Sequence, residues 1–218
     1  MATWLTHLRV AQKIARAIDI PDMTAFYVGS IAPDSGRMIN NFTYIPTKDV
    51  SHWKREGVTY EQRFEDNAEF YNKYCENETD PFKRSLFLGY YAHILTDTVY
   101  VRDVIHPYMH LHGMDFWRAN ITDIRNGWYQ IDYRFLEDNK DFEPLETLKT
   151  VLRFDNVYFD YFTKDDITER VLYAVHLYEN GKADRSVPLL THNEQEAESL
   201  IDLMTETVLK IFKEKHNI

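Results

Sequence analysis

Apolar residues near the start of the chain recur at intervals of three and four. Leu8, Ala11, Ile14, Ala15 and Ile18 form one stripe of an α-helix running from Trp4 to Ile18, and His7 continues that stripe. Pro21 closes the segment. From 21 to 58 the periodicity is weak and glycine and proline stand singly, at Gly29, Pro33, Gly36, Pro46 and Gly57, which predicts a long ordered loop or a set of short turns. A loop of that length inside a compact domain tends to be functional, because ordering it needs a compensating interaction. Thr59-x-x-Gln62 has the form of a capping box and opens a second helix through Tyr60, Phe64, Ala68, Tyr71 and Cys75. Asp80-Pro81 supplies an N-cap and a first-turn proline for a third helix, apolar and aromatic through about Val104 and therefore central.

Residues 105 to 124 read as irregular and histidine-rich, and Trp128, Ile131, Tyr133, Phe135 and Leu136 mark a further helix. No pattern organises 139 to 162. Two helices close the chain. One spans Asp165 to Tyr178, and one is capped by Thr191-x-x-Glu194, with Leu200, Met204, Val208 and Ile211 on one face and Lys210, Lys213 and Lys215 near its negative end. The expected architecture is an all-α, single-domain multi-helix bundle spanning 1–218, with no repeat and no low-complexity tract.

Composition narrows the function. The chain has 218 residues and a formal charge of −10, so a broad basic surface for nucleic acid is not expected. Cys75 is the one cysteine, which excludes an internal disulfide and a CxxC zinc ribbon and points to a reducing, cytoplasmic setting. Arg9, Lys13, Arg16 and Asp19 interrupt the opening segment where a signal peptide needs an apolar centre, and no stretch is long and apolar enough for a transmembrane segment.

The candidate chemistry begins with His93-x-x-x-Asp97. A spacing of four places both side chains on one helical face, either as metal ligands or as a core histidine bonded to its neighbouring carboxylate. Gly89 shares that face; a glycine in a helix interior costs about 1 kcal/mol relative to alanine, a hint that something needs the space. Upstream stand His7 on a buried stripe, and Asp34 and His52 in the long loop. Each has an ordinary reading, Asp34 as a turn former for example. Together they supply three imidazoles and two carboxylates, the donor set that zinc and similar divalent ions prefer.

In Thr6-His7-Leu8, Gly29-Ser30-Ile31-Ala32-Pro33-Asp34, Ser51-His52-Trp53 and Phe87-Leu88-Gly89-Tyr90-Tyr91-Ala92-His93-Ile94-Leu95-Thr96-Asp97, the sequence resembles the bacterial zinc-dependent phospholipase C family. The wider superfamily includes the zinc-dependent single-strand nucleases, and this chain resembles an intracellular, divergent member. The resemblance implies that His7, Asp34, His52, His93 and Asp97 are metal ligands, with a carboxylate bridging two ions and a hydroxide held between them. Zinc is the implied metal; manganese, iron, cobalt or nickel would suit the same donors.

Three departures limit the carry-over. Secreted relatives chelate a metal through an N-terminal tryptophan, whereas Trp4 is internal here. Where relatives carry a histidine six residues after the aspartate of the pair, this chain has Asp103, an additional candidate ligand. The later H-x-x-x-E pair falls near Asn126 to Gln130, where an amide replaces the carboxylate, so two metals are expected rather than three. His106, His110 and His112 are a second route to a third site. His176, His192 and His216 are not candidates, His216 being placed in a frayed terminus. Arg37 is a candidate for binding substrate phosphate, with a solvated loop arginine as the alternative, and Tyr44, Trp53, Tyr90 and Trp128 are aromatics able to wall a pocket or simply to fill the core.

The expected function is a metal-dependent phosphoric ester hydrolase, phospholipase C-like and acting on a phosphodiester such as a phospholipid head group. Either Asp34 or Asp97 would serve as general base. A non-catalytic, metal-stabilised helical binding protein is the alternative. Other helical phosphohydrolases acting on monoesters are a weaker one, since the adjacent His-Asp pair of the HD type is absent.

Overall fold

The computed structural model describes residues 2–40, 43–216 and 218. Helix α5 (Pro81–Tyr100) is buried from Ser85 to Tyr100, on every face. A helix apolar all round must be enclosed by others. Those packed around it are α1 (Trp4–Ala15), α2 (Met23–Gly29), α4 (Tyr60–Tyr74) and α10 (Glu194–His216). The described elements are helical apart from one antiparallel hairpin, β1 (Arg37–Asn40) with β2 (Thr43–Ile45), in which Arg37 pairs with Ile45 and Met38 with Tyr44. The expected all-α class is the observed one.

The predicted caps hold at two helices: Thr59 and Gln62 form the reciprocal box of α4, and Asp80 accepts from the Lys83 amide with Pro81 in the first turn of α5. At α1, Thr3 accepts from the Thr6 amide. At α10 the box lies two residues further along. Asn193 accepts from the Glu196 amide at 3.0 Å, and the Glu196 carboxylate accepts from the Asn193 amide at 2.8 Å. The Thr191 hydroxyl is already engaged, accepting from the Trp128 indole at 2.8 Å.

Two stretches differ from expectation. Between 21 and 58 lie α2, a 3₁₀ turn at Ala32–Asp34, the hairpin and α3 (Lys48–Ser51). Each is too short to show a period, and α2 is buried from Ala25 to Gly29, so it has no polar face to alternate with. Residues 105 to 124 are helical, not irregular: a π-turn at Val101–Ile105 leads into α6 (His106–His112), then α7 (Met114–Asp138). No residue of α6 is buried, so that helix carries no apolar stripe to reveal it. Gly113, at φ 83°, makes the break between the two helices.

In 139–162, α8 (Glu143–Lys149) precedes an irregular run organised by buried Asn156, whose amide donates to the carbonyls of Phe159 and Phe162 at 2.8 and 2.9 Å. Helix α9 (Asp166–Asn180) follows. Gly89 has a structural explanation: a Cβ there would lie 2.1 Å from the Phe26 carbonyl oxygen, and one on Gly29 would lie 2.1 Å from that of Leu86. The space is taken by the backbone of α2, not by a ligand. Cys75 is buried, and burial pushes its thiol well up. Among the described residues no helix is long and apolar enough to cross a membrane.

Candidate metal centre

Five side chains from four elements meet beside the α2–α5 crossing. His7 comes from the second turn of α1, Asp34 ends the 3₁₀ turn, His52 caps the C-terminus of α3, and His93 and Asp97 lie one turn apart on α5. All three histidines are buried to within 3 % of full exclusion, and Asp97 is 7 % exposed.

Asp97 sits among the imidazoles. Its Oδ1 lies 3.4 Å from His7 Nε2, and its Oδ2 lies 3.4 Å from His52 Nε2 and 3.9 Å from His93 Nε2. Asp34 Oδ1 is 3.4 Å from His52 Nε2. The rings of His7 and His93 stack with centroids 3.6 Å apart, and that of His52 stands edge-on to His93 at 5.4 Å. Two groups of donors lie within 4.8 Å of one another: His7, His93 and Asp97, and Asp34, His52 and His93.

The surroundings orient these donors. His93 Nδ1 donates to the Ser30 carbonyl at 2.8 Å, which leaves the lone pair on Nε2, facing the cluster. His52 Nδ1 pairs with the Ser51 hydroxyl at 2.9 Å. The Trp4 indole donates to Asp34 Oδ2 at 2.8 Å, Lys48 pairs with Asp34 Oδ1, and the Ala2 amide donates to Asp97 Oδ1 at 3.0 Å.

Charge follows the same arrangement. Burial pushes the Asp34 carboxyl up, but Lys48 and the His52 imidazole beside it outweigh it and hold the group well below its ordinary range. Burial is likewise overcome at Asp97, chiefly by the His7 imidazole 3.4 Å from its Oδ1. His52 is pushed down by burial against the pull of Asp34, and His93 is pushed well down by burial and by His7 beside it. Ionised Asp34 and Asp97 beside neutral His52 and His93 are the protonation states that metal ligation requires.

The donors fit a divalent ion on a further ground. The Nε2 atoms of His7, His52 and His93, and Nδ1 of His7, are buried without a hydrogen-bond partner. An unsatisfied buried polar atom costs about 1–3 kcal/mol, and a metal is what three converging lone pairs would satisfy.

The sequence model for zinc-dependent phospholipase C matches residues 6–137, more than half of the chain. The chain belongs to the zinc-dependent phospholipase C family. No curated protein and no solved structure matches it. Zinc is therefore the metal that the family implies, and in this zinc-dependent phospholipase C family member the matched span contains all five clustered residues.

The remaining candidates are distributed differently. Asp103 belongs to neither donor group; its carboxylate is held by both ends of the Arg102 guanidinium at 2.7 Å. His106 pairs with the Tyr60 hydroxyl, and His110 and His112 are exposed on α6. Asn126 is exposed on α7, and Gln130 is buried and accepts from the Asp184 amide. His216 is not frayed: it stacks on Tyr71 and bonds to the Tyr91 hydroxyl at 3.1 Å.

A cleft of about 850 Å³ opens beside the cluster, with Asp34 in its lining. Arg37 lines it too, its Nε 2.9 Å from Asp166 Oδ1. Of the four aromatics singled out, Tyr44 and Trp128 line the cleft, whereas Trp53 and Tyr90 pack against Phe70 in the core. Sequence reasoning missed Lys48, which stands four residues before His52 and shares its side of α3, and it missed Arg125 and Arg170, which only the tertiary fold brings to the cleft. It also passed over Asp132 on α7, whose Oδ2 accepts from Tyr178 at 3.0 Å. Burial raises that carboxyl to about 7 against the opposing bonds from Thr3 and Tyr178.

Proposed function

We propose that this protein, acting as one helical domain, is a zinc-dependent phosphodiester hydrolase of the phospholipase C type. The observation that carries the reading is the meeting of three partnerless imidazole nitrogens with two ionised carboxylates beside a cleft of about 850 Å³. His7, Asp34, His52, His93 and Asp97 would hold the metal as two ions; within the set, the two oxygens of Asp97 address different histidines. When bound, the ions supply Lewis-acid activation of water and positive charge against the phosphoryl oxygens.

The chain's own groups do the rest. Asp34 lines the cleft, stays ionised beside Lys48, and accepts the proton of the attacking water. Trp4 fixes the orientation of that carboxylate through Oδ2. Asp97 lies outside the cleft lining and acts as a ligand that would hold the ions. Arg37 and Lys48 add positive charge toward the phosphate, and Ile105, Trp117, Ile121 and Trp128 offer an apolar wall to the glycerol and acyl portion. The bond broken joins phosphorus to the glycerol oxygen and the water oxygen bonds to phosphorus; the proton taken by Asp34 passes to the departing glycerol oxygen, and the products are diacylglycerol and a phosphorylated head group.

The test is head-group release from short-chain phosphatidylcholine and phosphatidylglycerol with added zinc. Turnover that is abolished in Asp34→Asn and His93→Ala is the expected result. Silence across both lipids in zinc-loaded protein overturns the reading and favours the non-catalytic metal-stabilised protein.

A further inference from the structure

We propose that Arg170 and Arg125 form an anion subsite in the cleft, selecting phosphate esters whose head group carries a second negative charge; this rests on the hydrolase reading above. The chain as a whole is acidic, at −10, yet the charged lining of this cleft is Arg37, Lys48, Arg125 and Arg170 against Asp34, Asp166 and Glu169. Two of those cations are matched inside the protein: Lys48 pairs with Asp34 and Arg37 with Asp166. Arg125 and Arg170 have no carboxylate partner among the described residues.

Arg170 is also held in place. Its guanidinium lies over the Trp4 ring, 4.8 Å from the centroid, and 5.6 Å from that of Tyr173, and Nη2 donates to the Gly36 carbonyl at 3.3 Å. Its Nε is buried with no partner. A guanidinium fixed by aromatic faces and a single carbonyl, with donors unspent, is prearranged for a carboxylate or phosphate. The indole that carries Arg170 also donates to Asp34, so the subsite is one tryptophan away from the proposed reaction centre. Arg125, exposed on α7, lines the same cleft from another element and completes a two-cation mouth. A quaternary ammonium head group would meet both guanidiniums there against the one lining carboxylate unpaired among the described residues, Glu169, so the cleft discriminates against choline as well as favouring anions.

The experiment compares short-chain phosphatidylglycerol phosphate, phosphatidylglycerol and phosphatidylcholine with identical acyl chains, using zinc-loaded protein. The expected kcat/KM is greatest for the phosphorylated head group, by roughly 10- to 100-fold over phosphatidylglycerol, and least for choline. The ratio collapses toward one in Arg170→Met and in Arg125→Met; the second side chain is exposed, so its loss does not threaten the fold. In parallel, metal-free protein is titrated calorimetrically with glycerol 1,3-bisphosphate. Binding weakened by either substitution and by salt supports the subsite even where no lipid is cleaved, in which case the hydrolase reading alone fails. Cleavage of phosphatidylglycerol at the same efficiency as its phosphate, with both variants unaltered in that ratio, overturns the subsite and leaves the hydrolase standing.

Discussion

The indole of Trp4 donates to Oδ2 of Asp34 at 2.8 Å, a bond across thirty residues of sequence that ties the first turn of α1 to the 3₁₀ turn at Ala32–Asp34. Lys48 holds the other oxygen, so the cleft-facing carboxylate is fixed on both sides. Outer partners of this kind tune a ligand more than they add to stability.

Trp4→Phe keeps the ring under Arg170 and removes only the donor. The expected outcome is a zinc affinity lower by about tenfold, read by competition with a chromogenic chelator, and little change in thermal midpoint. An affinity equal to wild type would show that the bond does not orient the ligand.

The α2–α5 crossing is set by Gly29 and Gly89, each of whose Cβ positions is filled by the other helix's carbonyl. Gly89→Ala forces two backbones apart and is expected to cost about 3 kcal/mol, a fall in midpoint of roughly 10 °C. Because Ser30 lies at the same crossing and positions His93, zinc affinity falls as well. A midpoint within 2–3 °C of wild type, on the roughly 2–4 °C per kcal/mol scale, would contradict the close approach.

Burial lowers the folded-state pKa values of His52 and His93 below the ordinary 6.5. Below 6.5 the unfolded chain therefore binds more protons than the folded one, so their contribution is present above that pH and lost as pH falls through it. Metal-free protein should lose stability between pH 7.5 and 5.5, by up to about 3 kcal/mol per pH unit for two such groups, as followed by urea midpoints. Asp34 and Asp97, with depressed values, add to this loss only below about 4. A midpoint flat from pH 7.5 to 5.5 would count against neutral buried imidazoles.

Asp132 has the opposite sign. Its folded-state carboxyl keeps a proton up to about pH 7, while the unfolded one releases it near 3.8, so this group withdraws stability as pH rises between those values. Asp132→Asn can still accept from Tyr178, and its stability relative to wild type should grow from pH 4 to pH 7 by a few kcal/mol, again by urea midpoints. A difference independent of pH would place an ionised Asp132 in the native state.

How much of this was legible in the sequence depended on length and exposure. His93 and Asp97 were readable because a 20-residue helix fixes the direction of an i, i+4 pair, and Asp80-Pro81 marked where that helix starts. His7 was readable from the stripe it shares with Leu8 and Ala11. Asp34 and His52 rested on their sequence context, because α3 has only 4 residues and carries no period of its own. Gly89 showed that something needs its space, but not what, since the backbone that takes it comes from sixty residues away in the chain. Exposed α6 offered no apolar pattern, and Asn193 displaced Thr191 as cap because Trp128 claimed the threonine hydroxyl. Arg125 and Arg170 look like ordinary surface arginines until α7 and α9 are brought to the same cleft.

The central claim, that His7, Asp34, His52, His93 and Asp97 converge to bind metal, is tested most directly by elemental analysis of metal-free protein reloaded with zinc and desalted against a weak chelator. Zinc retained by wild type and lost in His93→Ala, the residue common to both donor groups, is the predicted result. Wild-type protein that emerges without zinc, or a His93→Ala variant that retains as much as wild type, would contradict it.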